Sequence, residues 1–262
     1  MKKILVLLLT TVIYAFAAPF ATINKVEGTA KVQHKDSIKK SKLKAGATLN
    51  QGDTVLTYRN AKVVLTMSDK TKIVINEYAK LELLSDEEYT QSGGKVFFKV
   101  SKRKGGKGLK VKTPFAIIGV KGTQFVVTDS DKDKSLSLKE GLVGVDNPSG
   151  KEFALLDKEK LDAAIGNMPG GQMAEFEQYK KDLMAEFTEY VKSFDLQPGK
   201  KLTFDGSSVS KSAISSADDA EFKDFANDAE FQAISKELEE MNSDVKTEDE
   251  LMSDKFFSDD EK

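Results

Sequence analysis

The chain has no cysteine and no tryptophan, a single histidine, and five prolines among 262 residues. Without cysteine there is no disulfide to staple the fold, no thiolate nucleophile and no lipid-modified N-terminal cysteine. With His34 as the lone imidazole, the usual zinc ligand sets are excluded. His34 stands among lysines with no orienting partner, so no histidine-based triad can be proposed. Carboxylates are plentiful, yet none sits in a context that suggests a raised pKa. No catalytic, metal-binding or cofactor-binding residue is assigned, and the expectation is a non-enzyme without a cofactor.

Long hydrophobic runs are equally scarce, and the one present lies at the start. Met1, Lys2 and Lys3 precede an apolar stretch over residues 4–16, with Ala15 and Ala17 at the −3 and −1 positions of a cleavage site after Ala17. This is the pattern of a secretory signal peptide, and it falls short of the roughly 20 residues needed to span a bilayer. No later segment is long and apolar enough to cross. The mature protein is expected to be soluble and periplasmic, or secreted, with no transmembrane segment after signal cleavage.

Net charge is −2, but the two signs are badly mixed. Residues 18–150 carry 24 Lys and Arg against 14 Asp and Glu, whereas residues 218–262 carry 5 Lys against 17 acids. The chain is a basic body with an acidic tail. Residues 18–156 read as β structure, because short alternating apolar runs recur between turn signals. Val63, Leu65 and Met67 share one face, Ile73 and Ile75 do the same, and Ser68-Asp69-Lys70 joins the two runs. Val96, Phe98 and Val100 alternate with Lys95, Phe97 and Lys99.

Beyond Pro148 the period changes. Residues 157–195 read as a helical insertion, with one helix over 157–165 and a second over 171–194 carrying Phe176, Leu183, Phe187, Tyr190 and Phe194 on one core-facing stripe. Residues 196–206 supply a returning strand. Residues 207–262 read as a linker (GSSVSKSAISS) followed by an acidic tail, with Phe222, Phe225, Ala229, Ile234, Leu238 and Met241 on one amphipathic helix and disorder from about Ser243. The fold class is mainly β: a sandwich or roll of many short strands with an inserted helical segment and an acidic, partly helical or disordered tail.

A series of sparse positions punctuates the β body. Gly28 and Gly46 lead to Gly52-Asp53 in a tight turn. Thr113-Pro114 follows the basic stretch, then Gly119-Val120-Lys121-Gly122-Thr123 with Phe125, then Glu140-Gly141 ahead of Val143 and Val145. Pro114 is expected to stop pairing on an exposed side, and Thr123 to hold the corner with its hydroxyl. In order and spacing, over residues 23–147, the series resembles the FecR-domain family, with Lys121 where arginine is usual. That family comprises bacterial envelope proteins related to the periplasmic regulators of iron-uptake sigma factors. The resemblance implies a FecR-like β domain, and a binding or signalling module rather than an enzyme. It treats Gly52, Asp53, Thr113, Pro114, Gly119, Gly122, Thr123, Phe125, Glu140 and Gly141 as architectural. Transmitter members carry a cytoplasmic anti-sigma segment and a membrane helix ahead of the domain. An export signal in that place implies a stand-alone secreted member.

Two further segments invite chemistry. Asp129, Asp131 and Asp133, with Glu140 at the twelfth position, mimic a calcium loop, but Lys134 stands where the sixth-position glycine belongs. A solvated hairpin turn is the expectation. Residues 95–112 hold Lys95, Lys99, Lys102, Arg103, Lys104, Lys107, Lys110 and Lys112 around a glycine-rich middle. They read as an edge strand whose lysines deter aggregation, as a contact for an anionic cell-wall polymer, or as a dock for the acidic tail. Nucleic acid is not an expected partner. The favoured function is a non-catalytic protein-interaction, sensor or adaptor module in the cell envelope, with an envelope protein as partner. A cell-wall or polysaccharide-binding module is the alternative, and a surface-layer component is a third.

Overall fold

The computed structural model describes residues 19–102, 108–166 and 173–227. Residues 1–18, which hold the expected signal peptide, residues 103–107 of the basic stretch, residues 167–172 and the tail beyond Asn227 lie outside the described residues. The chain lays down β1 (Ala21–Glu27) in one sheet, β2 (Ala30–Gln33) and β3 (Lys40–Lys42) in a second, and β4 (Thr48–Leu49) back in the first. β5 (Thr54–Thr57) is in the second sheet, and the hairpin β6 (Lys62–Met67) and β7 (Lys72–Ile75) in the first. The hairpin β8 (Lys80–Ser85) and β9 (Glu88–Ser92) lies in the second, β10 (Gly94–Lys99) in the first, and β11 (Leu109–Lys112) and β12 (Ile117–Val120) in the second. β13 (Gln124–Asp129) and β14 (Lys134–Glu140) return to the first, and β15 (Val143–Asp146) to the second. Next come β16 (Phe153–Asp157), α1 (Lys158–Gly166), α2 (Met173–Glu186) and β17 (Thr188–Val191), whose strands join the first sheet. β18 (Ser193–Leu196) closes the second sheet, β19 (Lys200–Asp205) and β20 (Ser208–Ala213) lie in the first, and α3 (Ser216–Asn227) follows.

The protein is thus mainly β, with two sheets stacked face to face and a chain that crosses between them after each short run. The first sheet runs β17-β16-β20-β19-β14-β13-β10-β7-β6-β1-β4, and the second β18-β15-β12-β11-β9-β8-β5-β2-β3. Their inner faces form one continuous core. Val63, Leu65, Ile73, Ile75, Phe98, Phe125 and Leu136 meet Leu81, Leu83, Tyr89, Val111, Ile118 and Val145, all buried. Strand periodicity of two places those residues inward and their neighbours outward. The β6–β7 turn is closed by Asp69, which accepts from the Thr71 backbone N–H at 2.9 Å, with Lys70 at φ 70°.

Several expectations are corrected. The segment expected as a linker forms β20, parallel to β16 and antiparallel to β19. Its composition is polar because only Val209 points into the core. The second inserted helix stops at Glu186 rather than running to Phe194. Beyond it, aromatic and β-branched side chains favour strand, and β17 and β18 pair with β16 and β15. The stripe therefore breaks up: Leu183 is buried, Phe194 is partly buried against the core and Tyr190 is 72% exposed. The Phe176 side chain lies outside the described residues. Finally, the basic stretch is not a sheet edge. β10 lies between β7 and β13, and β11 between β9 and β12, because Val96, Phe98, Leu109 and Val111 need the core on one side.

Candidate functional site

The motif positions divide by what they do. Gly52 turns the chain at φ 88° and donates its N–H to the Leu83 carbonyl at 2.7 Å. Asp53, 1% exposed, accepts from the Asn50 N–H at 2.9 Å and meets His34 Nδ1 at 3.1 Å. His34 therefore has the carboxylate partner that its sequence neighbourhood did not reveal, and the pair braces a turn. Phe125 stacks on Phe98 in the core at 4.8 Å. Asp129, from the calcium-like window, accepts from the Gly93 N–H at 2.8 Å, and the loop after it is a hairpin turn closed between Ser130 and Asp133. Among the described residues no cluster of three or more His, Asp or Glu could hold a metal ion.

Two assigned roles change. Thr123 is buried, but its hydroxyl has no partner among the described residues. Its methyl fills the corner instead, where a Cβ on Gly141 would come within 2.5 Å of it. Gly141, at φ 88°, is thus fixed twice over, by backbone and by space. The hydroxyl brace belongs to Thr113, whose Oγ1 accepts from the Ala116 N–H at 2.9 Å and ties the β11–β12 turn. Pro114 sits exposed inside that turn and guards no edge. Glu140 is exposed beside the Gly122–Gly141 corner.

Gly119 differs from every one of these. It faces outward from the middle of β12, directly opposite Gly144 of β15. Neither takes a left-handed φ. A Cβ on Gly119 would meet only the Gly144 carbonyl, at 3.9 Å, and one on Gly144 only that of Gly119 and Asp195 Oδ1, at 3.7 Å or beyond. Among the described residues, packing demands neither glycine. Glycine inside a strand is destabilising, and away from bulges and bends it often marks a place where a ligand or another backbone approaches closely.

Around this pair the second sheet's outer face forms a cleft of about 590 Å³. The row across it runs Glu88, Lys110, Gly119, Gly144, Asp195 in direct register. Lys121 and Leu142 complete the walls, and Leu142 is 48% exposed. Glu88 pairs with Lys112 at 2.7 Å. Lys110 and Lys121 make no ion pair among the described residues, so the cleft keeps two available cations. The arrangement is a shallow trough with a floor of bare peptide planes, cationic and acidic banks and an apolar end. Of the ten motif residues only Gly119 lies in it. Gly144, Leu142 and Asp195 were missed by sequence reasoning, and Lys110 was noted only as one of a basic stretch. The signal available was a glycine at the outward position of two apolar strands, IIGV and LVGV.

The fold and trough together define a two-sheet β module with an open cleft on one outer face. Residues 53–144 match the family described as FecR protein. No curated protein matches the chain. Two crystal structures, each of a candidate anti-sigma factor from Parabacteroides distasonis ATCC 8503, align at 17% and 16% identity, each with a TM-score of 0.43, over 64% of this chain. This chain spans 62% of the length of those two. A cell surface anchoring domain aligns at 28% identity over 26% of this chain and 87% of its own, with a TM-score of 0.24.

Proposed function

We propose that the protein is an exported, non-catalytic FecR-domain module that recognises an envelope protein through the Gly119–Gly144 trough, as a sensor or adaptor. The observation that carries this reading is the outward glycine pair, which the fold itself does not need. Peptide planes without side chains let a partner's backbone or side chain approach within van der Waals contact. Lys110 and Lys121 set the charge it must present. A protein partner fits better than a polysaccharide, because no aromatic ring lines the trough for a sugar to stack on. The polymer alternative also relied on a basic strand edge, and β10 and β11 lie inside their sheets. Residues 1–17 supply the export signal in this reading.

A photo-crosslinking residue at Leu142, in intact cells, is expected to capture a specific protein, whereas the same residue at the exposed Ile38 captures none. Gly144→Val is expected to abolish the Leu142 adduct. Equal adducts from both positions would remove the trough from the account. Retention on purified peptidoglycan, with no protein adduct, would favour the polymer reading. N-terminal sequencing of the periplasmic fraction is expected to begin at Ala18.

A further inference from the structure

The outer face of the first sheet, on the sheet that does not form the trough, is covered by a helix. A row of residues in direct register crosses that face: Val64, Val74, Phe97, Val126, Ser137 and Lys201. The helix α3 lies on it. Phe222 and Phe225, one helical turn apart, are buried against Val64, Val74, Phe97 and Val126. Phe225 stacks on Phe97 at 4.7 Å, and Phe222 meets the same ring edge-on at 6.1 Å. Three lysines ring the apolar patch, and each faces an acid of α3: Lys201 with Asp218 at 2.9 Å, Lys95 with Glu221 at 2.6 Å, and Lys139 with Asp219. The pattern is an apolar stripe inside a cationic rim, complementary to an acidic helix with two aromatics three positions apart.

The occupant is weakly held. Helices in proteins draw most of their stability from tertiary packing of an apolar face, so α3 depends on the sheet for its order. Phe222 and Phe225 are its buried side chains. Its three ion pairs lie at partly exposed positions, where such pairs contribute little and salt screens them. Only Ile214 and Ser215 separate β20 from the helix. That short tether supplies a high effective concentration without adding a contact.

We propose that this face is a receptor for an acidic amphipathic helix of a partner protein, and that α3 occupies it in cis as a displaceable stand-in. The partner's helix has acids positioned for Lys95, Lys139 and Lys201 and an aromatic pair for the patch around Phe97. Charge complementarity and the aromatic spacing of α3 itself define that chemistry. Displacement frees α3 and covers the patch from outside. Binding is thereby limited to partners whose contacts outcompete a tethered helix.

The test uses the full exported chain and a fluorescent peptide of residues 215–227. Anisotropy is expected to show saturable binding to the unaltered chain, weakened by salt. It is expected to be about tenfold tighter or more to Phe222→Ala/Phe225→Ala, in which the tethered competitor is disabled. A second chain, Lys139→Glu/Lys201→Glu, keeps the apolar patch and repels its own α3. It is expected to reject the native peptide and to bind one carrying Asp218→Lys and Asp219→Lys. In the unaltered chain the α3 amides are expected to exchange far faster than those of β7 and β10. Failure of both altered chains to bind their matched peptides, or α3 amides as slow as those of β10, would overturn the proposal. Neither result touches Gly119 or Gly144, so the trough stands or falls separately.

Discussion

The two sheets share one core on their inner faces but meet their surroundings differently on their outer faces. Across the first sheet the outward row is Val64, Val74, Phe97 and Val126, and α3 covers it. Across the second the corresponding outward row is Glu88, Lys110, Gly119, Gly144 and Asp195, and it forms an open trough. An apolar outward row needs a cover, and this chain supplies one of its own. A row with charged flanks and no side chains at its centre is stable against water, and shaped for something that comes and goes. One outer face is covered in cis, and the other is left open.

The largest effect expected from breaking this contrast is at Phe97. Phe97→Ala removes a fully buried ring between the sheet and both α3 aromatics. Truncating such a residue costs about 3–5 kcal/mol. Urea unfolding is expected to show that loss, together with α3 amide exchange faster still than in the unaltered chain. A loss below about 1 kcal/mol, within the range of ordinary surface substitutions, would mean that the covered face is no second core.

Next in size is Asp53. Its carboxylate is buried and holds the Asn50 N–H and His34 across the turn before β5. Asp53→Ala leaves those donors unsatisfied, at about 1–3 kcal/mol. The same assay on Gly119→Ala is expected to show no loss, because the added Cβ meets only one atom, at 3.9 Å. That pair of results separates the motif residues that keep the fold from the one that faces a partner. Comparable losses at both positions would erase the distinction.

How much of this was legible in the sequence follows from the same contrast. Alternation marked Val63, Leu65, Ile73 and Ile75 as one inner face, and the turn residues around Gly52, Asp69 and Gly141 punctuated the strands where the structure turns. Where both faces of a strand are buried, alternation fails. Val64 and Val74 look like core without a partner until α3 is placed. β20 was hidden for the opposite reason, since a strand with one buried side chain among serines has the composition of a linker. The parallel β16–β20 pairing that holds it joins residues far apart in sequence. Phe187, Tyr190 and Phe194 fit a helical period by spacing alone, and sheet pairing overrides it. The trough was half legible: Gly119 stood out, but its pairing with Gly144 depends on register, which no local pattern carries.

The covered face should also respond to acid. Burial raises the Asp218 carboxyl, and hydrogen bonds from Ser215 and Lys201 outweigh it, so the group sits below its ordinary value of 3.8. Hydrogen bonds from Lys139 and Lys223 hold Asp219 below the same value. A depressed carboxylate stabilises the docked state above its free pKa, and the contribution fades as pH falls through the docked value. Docking of α3 is therefore expected to be constant from neutral pH down to about 4–5 and to loosen below that. Amide exchange of α3, corrected for intrinsic rates, is the measurement. Loosening on raising the pH from 5 to 8 would contradict the sign.

The smallest change in stability, and the sharpest division between the faces, is expected at Gly144. Glycine within a strand gives up about 0.5–1 kcal/mol relative to alanine, and β-branched residues are favoured on pleated surfaces. Gly144 has an ordinary φ, and a Cβ there would meet nothing closer than 3.7 Å. Gly144→Val should therefore leave the unfolding midpoint unchanged or slightly raised, while closing the floor of the trough and abolishing the Leu142 adduct. α3 and its peptide exchange should be untouched, because the change lies on the other sheet. A variant that is at least as stable and yet blind to its partner has one physical explanation: the missing side chain serves a contact outside the molecule. If Gly144→Val instead destabilised the fold by about 2 kcal/mol or more, outside the usual range for an unstrained surface site, the glycine would be structural. The trough would then be a by-product of packing.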